Sequence, residues 1–295
     1  MRRKNFALPL LYLGTVLLTG ATLRAQVSAG APGQSPEAPQ PARLARVDPP
    51  HVQDALDALN KLLLQYRQTG NRQAEASVLG AIANSYNALH QQQKSIEELQ
   101  SALAIWRELG NQKGETLTLA HIGDVYRGWG FPEQANRSYR DALAIYPETD
   151  KSGHAATLNN LGLTYFSLHD KKRCLENLNK ALDLYRTLGD RHGEALALSN
   201  LGTMYNFLAN DPEKALGVFQ EAVTKLELLD DRSSEANALD NMGVVWLNLH
   251  KPEMAALSFQ RAVAMYRRIG DSQGEASVRR HMEALGQPET IASGR

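Results

Sequence analysis

The chain has 295 residues, with 32 acidic and 32 basic side chains. A hydrophobic fraction of 43% and a charged fraction of 22% exclude disorder over the whole length. The balanced charge argues against nucleic acid as the main partner, because phosphate binding needs a basic surface. A single cysteine cannot form an intramolecular disulfide, so the stability of the fold must come from packing.

The first 25 residues have the pattern of a secretory signal peptide. Three basic residues at positions 2–4 precede a mostly apolar, uncharged stretch over 6–23, and Ala25 offers a cleavage site. Cleavage would remove four basic residues and leave a mildly acidic protein. We therefore expect a secreted or periplasmic protein without a stable membrane span. An uncleaved membrane anchor is the alternative, although a stretch of about 18 residues is short for a span.

Residues 26–50 are rich in Pro, Ala, Gly and Ser, which predicts a flexible linker. After this linker the chain repeats itself about every 40 residues. In each unit a small residue is followed three positions later by an aromatic one. The small column is Ala83, Gly123, Gly162, Gly202 and Gly243, and the aromatic column is Tyr86, Tyr126, Tyr165, Tyr205 and Trp246.

A second set of columns follows in each unit, at offsets of four and then three residues. Its small column is Ser95, Ala135, Cys174, Ala215 and Ala255, its filler column is Leu99, Tyr139, Leu178, Phe219 and Phe259, and its alanine column is Ala102, Ala142, Ala181, Ala222 and Ala262. Such offsets put each set on one face of a helix. Two antiparallel helices cross closely only where small residues meet and large residues fill the space beside them. The pattern predicts a helical hairpin in each unit.

This array resembles the tetratricopeptide repeat family in its variant of about 40 residues, similar to kinesin light chain-type and bacterial regulatory arrays. Gly189 to Ala195, together with Asn200-Leu201-Gly202 and Tyr205, carries the resemblance well. It implies an all-α, right-handed superhelical solenoid of antiparallel hairpins. The predicted segments are a half-unit at 51–69, repeats at 70–109, 110–149, 150–188, 189–229 and 230–269, a capping helix at 271–286 and a tail at 287–295.

Two irregularities interrupt the repeat. Tyr146-Pro147 is expected to shorten the second helix of the second hairpin. Residues 209–211 lengthen the turn of the fourth hairpin by one residue. Pro132, Pro212 and Pro252 are expected to open second helices, where a missing N–H does no harm.

In this family the first helix of each hairpin lines a concave groove. Asn160, Asn200 and Asn241 occupy equivalent positions in successive repeats and would form a ladder there. Their carboxamides could pair with an extended peptide backbone. The predicted groove residues are Asn160, Asn200, Asn241, His121, Asn84, Asn87, Asp124, Arg127, Asn206, Asn237 and Asp240, with Asn159, Phe166, Ser199, Thr203 and Asn248 as further candidates. The alternative is that the asparagines bond to neighbouring helices and fix the geometry of the repeats. Arg127 alone does not supply the several cations of a carboxylate clamp, so an internal peptide segment is the expected ligand.

Three histidines and the cysteine invite other interpretations. His90, His169 and His250 recur after first helices, but they lie in separate repeats, too far apart to share a metal ion. We expect them to form turns or helix C-caps, with Gly130 and Ala209 as their counterparts in the other hairpins. Cys174 falls in a column of small residues, which predicts a buried thiol rather than a nucleophile.

The sequence contains no motif for catalysis, a metal or a cofactor, so we expect neither an enzyme nor a bound cofactor. The leading hypothesis is an exported scaffold that binds a peptide or a partner protein. The alternative is a regulatory or sensory module that controls a separately encoded enzyme. Self-assembly through the ends of the array also stays open.

Overall fold

The computed structural model describes residues 49–147 and 149–286, so the predicted signal peptide, most of the predicted linker and the tail lie outside the described residues. The described residues form twelve helices and the turns between them. The helices are α1 Pro49–Thr69, α2 Arg72–Ala88, α3 Gln92–Glu108, α4 Gln112–Trp129, α5 Pro132–Ala144, α6 Lys151–Ser167, α7 Lys171–Leu188, α8 Arg191–Phe207, α9 Pro212–Leu228, α10 Arg232–Asn248, α11 Pro252–Ile269 and α12 Ser272–Gly286. Four pairs of successive helices, α4–α5, α6–α7, α8–α9 and α10–α11, pack against each other as the predicted hairpins do. Because α1 begins at Pro49, the predicted half-unit starts two residues earlier than expected.

The described helices belong to two compact units, which divide between Ala102 and Leu103 inside α3. The first unit contains α1, α2 and most of α3, and α1 packs on α2. In the second unit, from α4 onward, each helix packs on the next in chain order. First helices also contact one another, α4 with α6, α6 with α8, α8 with α10 and α10 with α12, so they lie side by side on one face. No helix in the described part of the chain is long and apolar enough to cross a bilayer.

Inside the hairpins of the second unit, the small column of the first helix meets the filler column of the second helix, as predicted. A Cβ atom added to Gly202 would lie 2.7 Å from the ring of Phe219, and one added to Gly243 would lie 2.4 Å from Phe259. Both phenylalanines are fully buried. Gly123 and Gly162 meet Tyr139 and Leu178 in the same way. The glycines therefore allow the two backbones to approach, which offsets their low helix propensity.

A second close contact joins successive hairpins. Gly193 at the start of α8 lies against the ring of Tyr185 in α7, so closely that a Cβ would lie 2.3 Å from it. Gly274 lies against Tyr266 in the same way. Beside this contact, an arginine from the last turn of one helix reaches a glutamate in the first turn of the next. We call this ion pair the Arg–Glu clasp; it is formed by Arg67–Glu75 at 3.0 Å, Arg107–Glu115 at 2.7 Å, Arg186–Glu194 at 2.9 Å and Arg267–Glu275 at 2.8 Å.

The turns explain the recurring histidines. His90, His169 and His250 have left-handed backbone conformations, with φ of 57°, 57° and 55°. Each backbone N–H donates to a carbonyl three residues earlier, so the predicted turn role is confirmed. Gly130 takes this place in the second hairpin, with φ of 85°. In the fourth hairpin the counterpart is Asn210, with φ of 53°, and the assignment to Ala209 was wrong because the extra residue in this turn shifts the register.

The other predicted irregularity is also present. Helix α5 has 13 residues, whereas α7 has 18, and it ends before Tyr146-Pro147. Tyr146 nevertheless contacts α6 of the next hairpin, where its hydroxyl accepts a hydrogen bond of 3.2 Å from Thr157. The predicted prolines occupy the first positions of α5, α9 and α11.

Candidate functional site

The predicted groove residues lie on the first helices of the five hairpins. Asn84 and Asn87 are on α2 in the first unit, where both are exposed. The others are on α4, α6, α8 and α10, which form the shared face of the second unit. His121 on α4 is half-buried.

Side-chain hydrogen bonds connect three of these first helices. The Nδ2 of Asn160 on α6 donates to Oδ1 of Asp124 on α4 at 2.9 Å. Asn159 donates to Oδ1 of Asn160 at 3.4 Å. Asn200 on α8 donates to Oδ1 of Asn159 at 2.9 Å. Asn160 and Asn200 therefore fix neighbouring repeats to each other, which is the alternative role that the sequence left open.

Asp124 also anchors the second helix of its own hairpin. The buried hydroxyl of Tyr139 donates to Oδ1 of Asp124 at 2.6 Å, and Nε of Arg127 lies 3.4 Å from the Tyr139 oxygen. Burial, and then the nearby Asp124 charge, raise the pKa of Tyr139 well above its usual value. Burial alone would lower the pKa of Arg127, but Tyr139 and Asp124 outweigh it and the pKa rises. Arg127 stays charged, and its guanidinium contacts the protein itself.

Some side-chain amides on α8 and α10 have donors or acceptors without a hydrogen-bond partner. Asn248 donates to Oδ1 of Asn206 at 2.9 Å, while the buried Nδ2 of Asn206 has no hydrogen-bond partner. Asn241, the third asparagine of the ladder, is half-buried and its carboxamide makes no hydrogen bond among the described residues. Asn237 accepts a bond of 2.6 Å from the hydroxyl of Tyr266. The three ladder asparagines thus differ, and only Asn241 keeps both donor and acceptor unused.

The register of the ladder continues into α12, the predicted capping helix. His281 lies forty positions after Asn241, in the same register, and its Nδ1 is 2.8 Å from Oδ1 of Asp240 on α10. The hydrogen bond with Asp240 raises the pKa of His281, although burial opposes it. Extending the 40-residue spacing by one repeat would have identified this position.

Cys174 is fully buried, as its column predicted. Burial, with a smaller effect of Asp170, raises the pKa of its thiol to about 12, so the thiolate is scarce at neutral pH. Among the described residues, no three His, Cys, Asp or Glu side chains are grouped closely enough to hold a metal ion.

The sequence profile of the tetratricopeptide repeat matches residues 75–148 and 153–227, together about half of the chain. The chain belongs to the tetratricopeptide repeat family. The match includes the small and aromatic columns of the first four hairpins, and so confirms the resemblance seen in the sequence. No curated protein matches the chain.

Solved structures of this type have the same fold. BtubC (BKLC) from P. vanneervenii is 18% identical with a TM-score of 0.64, and the match covers 75% of this chain and 91% of that one. Aspartyl phosphate phosphatase F from Bacillus subtilis is 15% identical with a TM-score of 0.64, over 75% of this chain and 58% of that one. A Rap protein solved in complex with competence and sporulation factor is 14% identical with a TM-score of 0.57, over 80% and 71%. At these identities the likeness shows the fold alone.

Proposed function

We propose that this chain is an interaction scaffold that binds a peptide, or a segment of a partner protein, along the polar face of its first helices. The unused carboxamide of Asn241 supports the proposal most directly. On α10, Asn237 lies four positions before Asn241 and Asn248 lies seven positions after it, so the three amides share one face of the helix. An amide offers the donor and the acceptor that an extended backbone needs. The Rap structure with a bound factor is an example of ligand binding by a protein of this fold.

The ladder asparagines differ in their hydrogen bonds: those of Asn160 and Asn200 support the fold, and we propose Asn241 as the one that contacts the ligand. Replacing Asn160 or Asn200 by alanine removes an inter-helix hydrogen bond, and each change should cost about 1 kcal/mol of stability. Replacing Asn241 removes no such bond, so the free energy of unfolding should stay unchanged. Asn241→Ala is therefore the cleaner test of binding.

The experiment is affinity capture from an envelope extract with the purified chain as bait, followed by binding measurements on the captured partner. Asn241→Ala should weaken binding of that partner about tenfold, the effect of losing one or two hydrogen bonds. Asn179→Ala is the matched control, because Asn179 is an exposed asparagine on the second helix α7. Equal affinity of both variants and the unmodified chain would refute the groove assignment.

We also propose that the chain is exported, because a basic start precedes the apolar stretch of its first 25 residues. Cell fractionation and sequencing of the N-terminus of the purified protein test this. A soluble envelope protein that begins near residue 26 is the expected result. Full-length protein in the membrane would favour the anchor, and full-length protein in the cytoplasm would contradict export.

A further inference from the structure

At the junction between the fourth and fifth hairpins, the glutamate of the Arg–Glu clasp is present but its arginine is not. Four junctions carry the Arg–Glu clasp, in which the arginine precedes the glutamate by eight residues. Between α9 and α10 the glutamate is Glu235, but the residue eight positions earlier is Glu227. Here a carboxylate stands where the clasp has a guanidinium.

Glu235 lacks the hydrogen bond that its counterparts receive. Its residue is 3% exposed, and its buried Oε1 accepts no hydrogen bond. Nη2 of Arg261 on α11 lies 3.5 Å from this oxygen, farther than the 2.7 to 3.0 Å of the clasps. Burial, and next the charge of Glu227, raise the pKa of Glu235, whereas the clasp lowers the pKa of Glu75 and Glu194. The site therefore has a deficit of positive charge.

The turn that leads to Glu235 is unusually exposed and apolar. Leu228 has 80% of its surface exposed, the largest fraction among the large hydrophobic side chains that the structure describes, and Leu229 is also exposed. Asp230 replaces the turn glycine found at the junctions with a clasp, and it has a left-handed backbone with φ of 53°. Its carboxylate pairs with Arg232 at 2.9 Å. The turn thus presents two leucines beside acidic side chains.

We propose that residues 227–235, the acidic turn, bind a partner protein segment that carries an arginine next to apolar residues. The arginine would lie between Glu227 and Glu235, in the position that an arginine of the chain itself fills at the four junctions with a clasp. Its neighbouring apolar side chains would cover Leu228. This surface uses the first turn of α10 and the end of α9, and it does not depend on the asparagine ladder.

Arginine suits this position better than lysine or a metal ion. A guanidinium has donors in a rigid planar fork, and it can bond two carboxylates at once. The arginines of the four clasps show that the surrounding backbone accommodates this group. A bound metal ion would need more ligands than the carboxylates here supply, since no suitable group of three occurs among the described residues.

The test uses a fluorescein-labelled peptide of sequence Gly-Ser-Leu-Arg-Leu-Leu-Ser-Gly and fluorescence anisotropy with the full chain. A matched peptide carries citrulline, which has the shape of arginine without its charge. We expect the arginine peptide to bind at least about tenfold more tightly, as for a charge-assisted hydrogen bond, and to weaken with added salt. Equal binding of the two peptides, or no binding of the arginine peptide at millimolar concentration, would overturn the proposal.

The decisive variant is Glu227→Arg, which completes the clasp within the chain. It should abolish binding of the arginine peptide while raising the thermal unfolding temperature, so a loss of binding cannot be attributed to misfolding. Glu213→Arg is the matched control, because it makes the same charge change at an exposed position of the same helix that forms no ion pair among the described residues. Unchanged binding by Glu227→Arg would refute the position. Self-association of the unmodified chain that Glu227→Arg removes would assign the turn to a second copy and overturn the peptide assignment.

Discussion

Two glycines in neighbouring helices predict opposite effects of one substitution. Gly202 lies in α8, and a Cβ added there would lie 2.7 to 2.8 Å from three ring atoms of Phe219. Gly217 lies in α9, where a Cβ would meet no heavy atom within 4 Å. Both positions are inside helices, so replacement by alanine gives each the same gain in helix propensity, about 1 kcal/mol. The difference between the two variants therefore measures packing alone.

The expected magnitudes follow from this difference. Gly217→Ala should raise the free energy of unfolding by about 0.5–1 kcal/mol. Gly202→Ala gains the same propensity, but the fully buried ring of Phe219 must move, and overpacking costs about 1–3 kcal/mol. The net change at Gly202 should be a loss of about 0–2 kcal/mol. For a folded chain of this size, 1 kcal/mol corresponds to about 2–4 °C in unfolding temperature.

Thermal unfolding followed by circular dichroism compares the two variants with the unmodified chain. Gly217→Ala should unfold at a higher temperature than the unmodified chain, and Gly202→Ala at the same or a lower one. Adding Phe219→Leu to Gly202→Ala should give a smaller loss than the sum of the two single changes, because the pair is in contact. If Gly202→Ala stabilises the chain as much as Gly217→Ala does, the packing explanation of the glycine column is wrong.

Two further predictions concern titratable groups. Asp240 raises the pKa of His281 in the folded state, so its stabilising effect is complete below the unfolded pKa of about 6.5 and disappears as the pH rises through the folded pKa. The protection of α12 amides, measured as their hydrogen exchange rate relative to that of an unstructured peptide at the same pH, should accordingly fall as the pH rises above about 6.5, and His281→Gln should remove this fall; pH-independent protection in the unmodified chain would contradict the prediction. Cys174, whose thiol pKa is raised to about 12, should react with a thiol reagent only as fast as the chain unfolds, so immediate labelling of the native chain would refute its burial.

The sequence predicted the fold because each hairpin repeats the same steric solution. Gly243, for example, belongs to the small column and Phe259 to the filler column. The spacing between these two columns is kept from hairpin to hairpin, and the structure brings the two residues together. The shortened α5 was predictable because proline cannot continue a helix. Asn210 was missed because a one-residue insertion does not show which residue of the turn will take the left-handed backbone.

The site was less predictable than the fold. The register of the repeat places Asn160 and Asn200 on the shared face, but it does not predict the acceptor to which each carboxamide donates. The acceptor depends on the neighbouring repeat. The usual acceptor is the residue immediately before the ladder position, as Asn159 is on α6. On α4, Asp124 lies four positions after this place. Hydrogen bonds between repeats therefore depend on pairs of positions about 40 residues apart, which inspection of one column does not reveal.

The same comparison explains why Asn241 is unused. Asn159 and Asp240 occupy equivalent positions, and each receives a bond from the ladder residue of the following helix. The residue in this position opposite Asn241 is Ser199, whose hydroxyl donates to the carbonyl of Ala195 at 3.1 Å. Between the fourth and fifth hairpins, therefore, the ladder residue on the shared face makes no hydrogen bond to the preceding repeat, and the turn has no Arg–Glu clasp. Both sets of unused polar groups arise where one residue departs from the repeat, and these two departures are the places at which we propose that the chain binds another molecule.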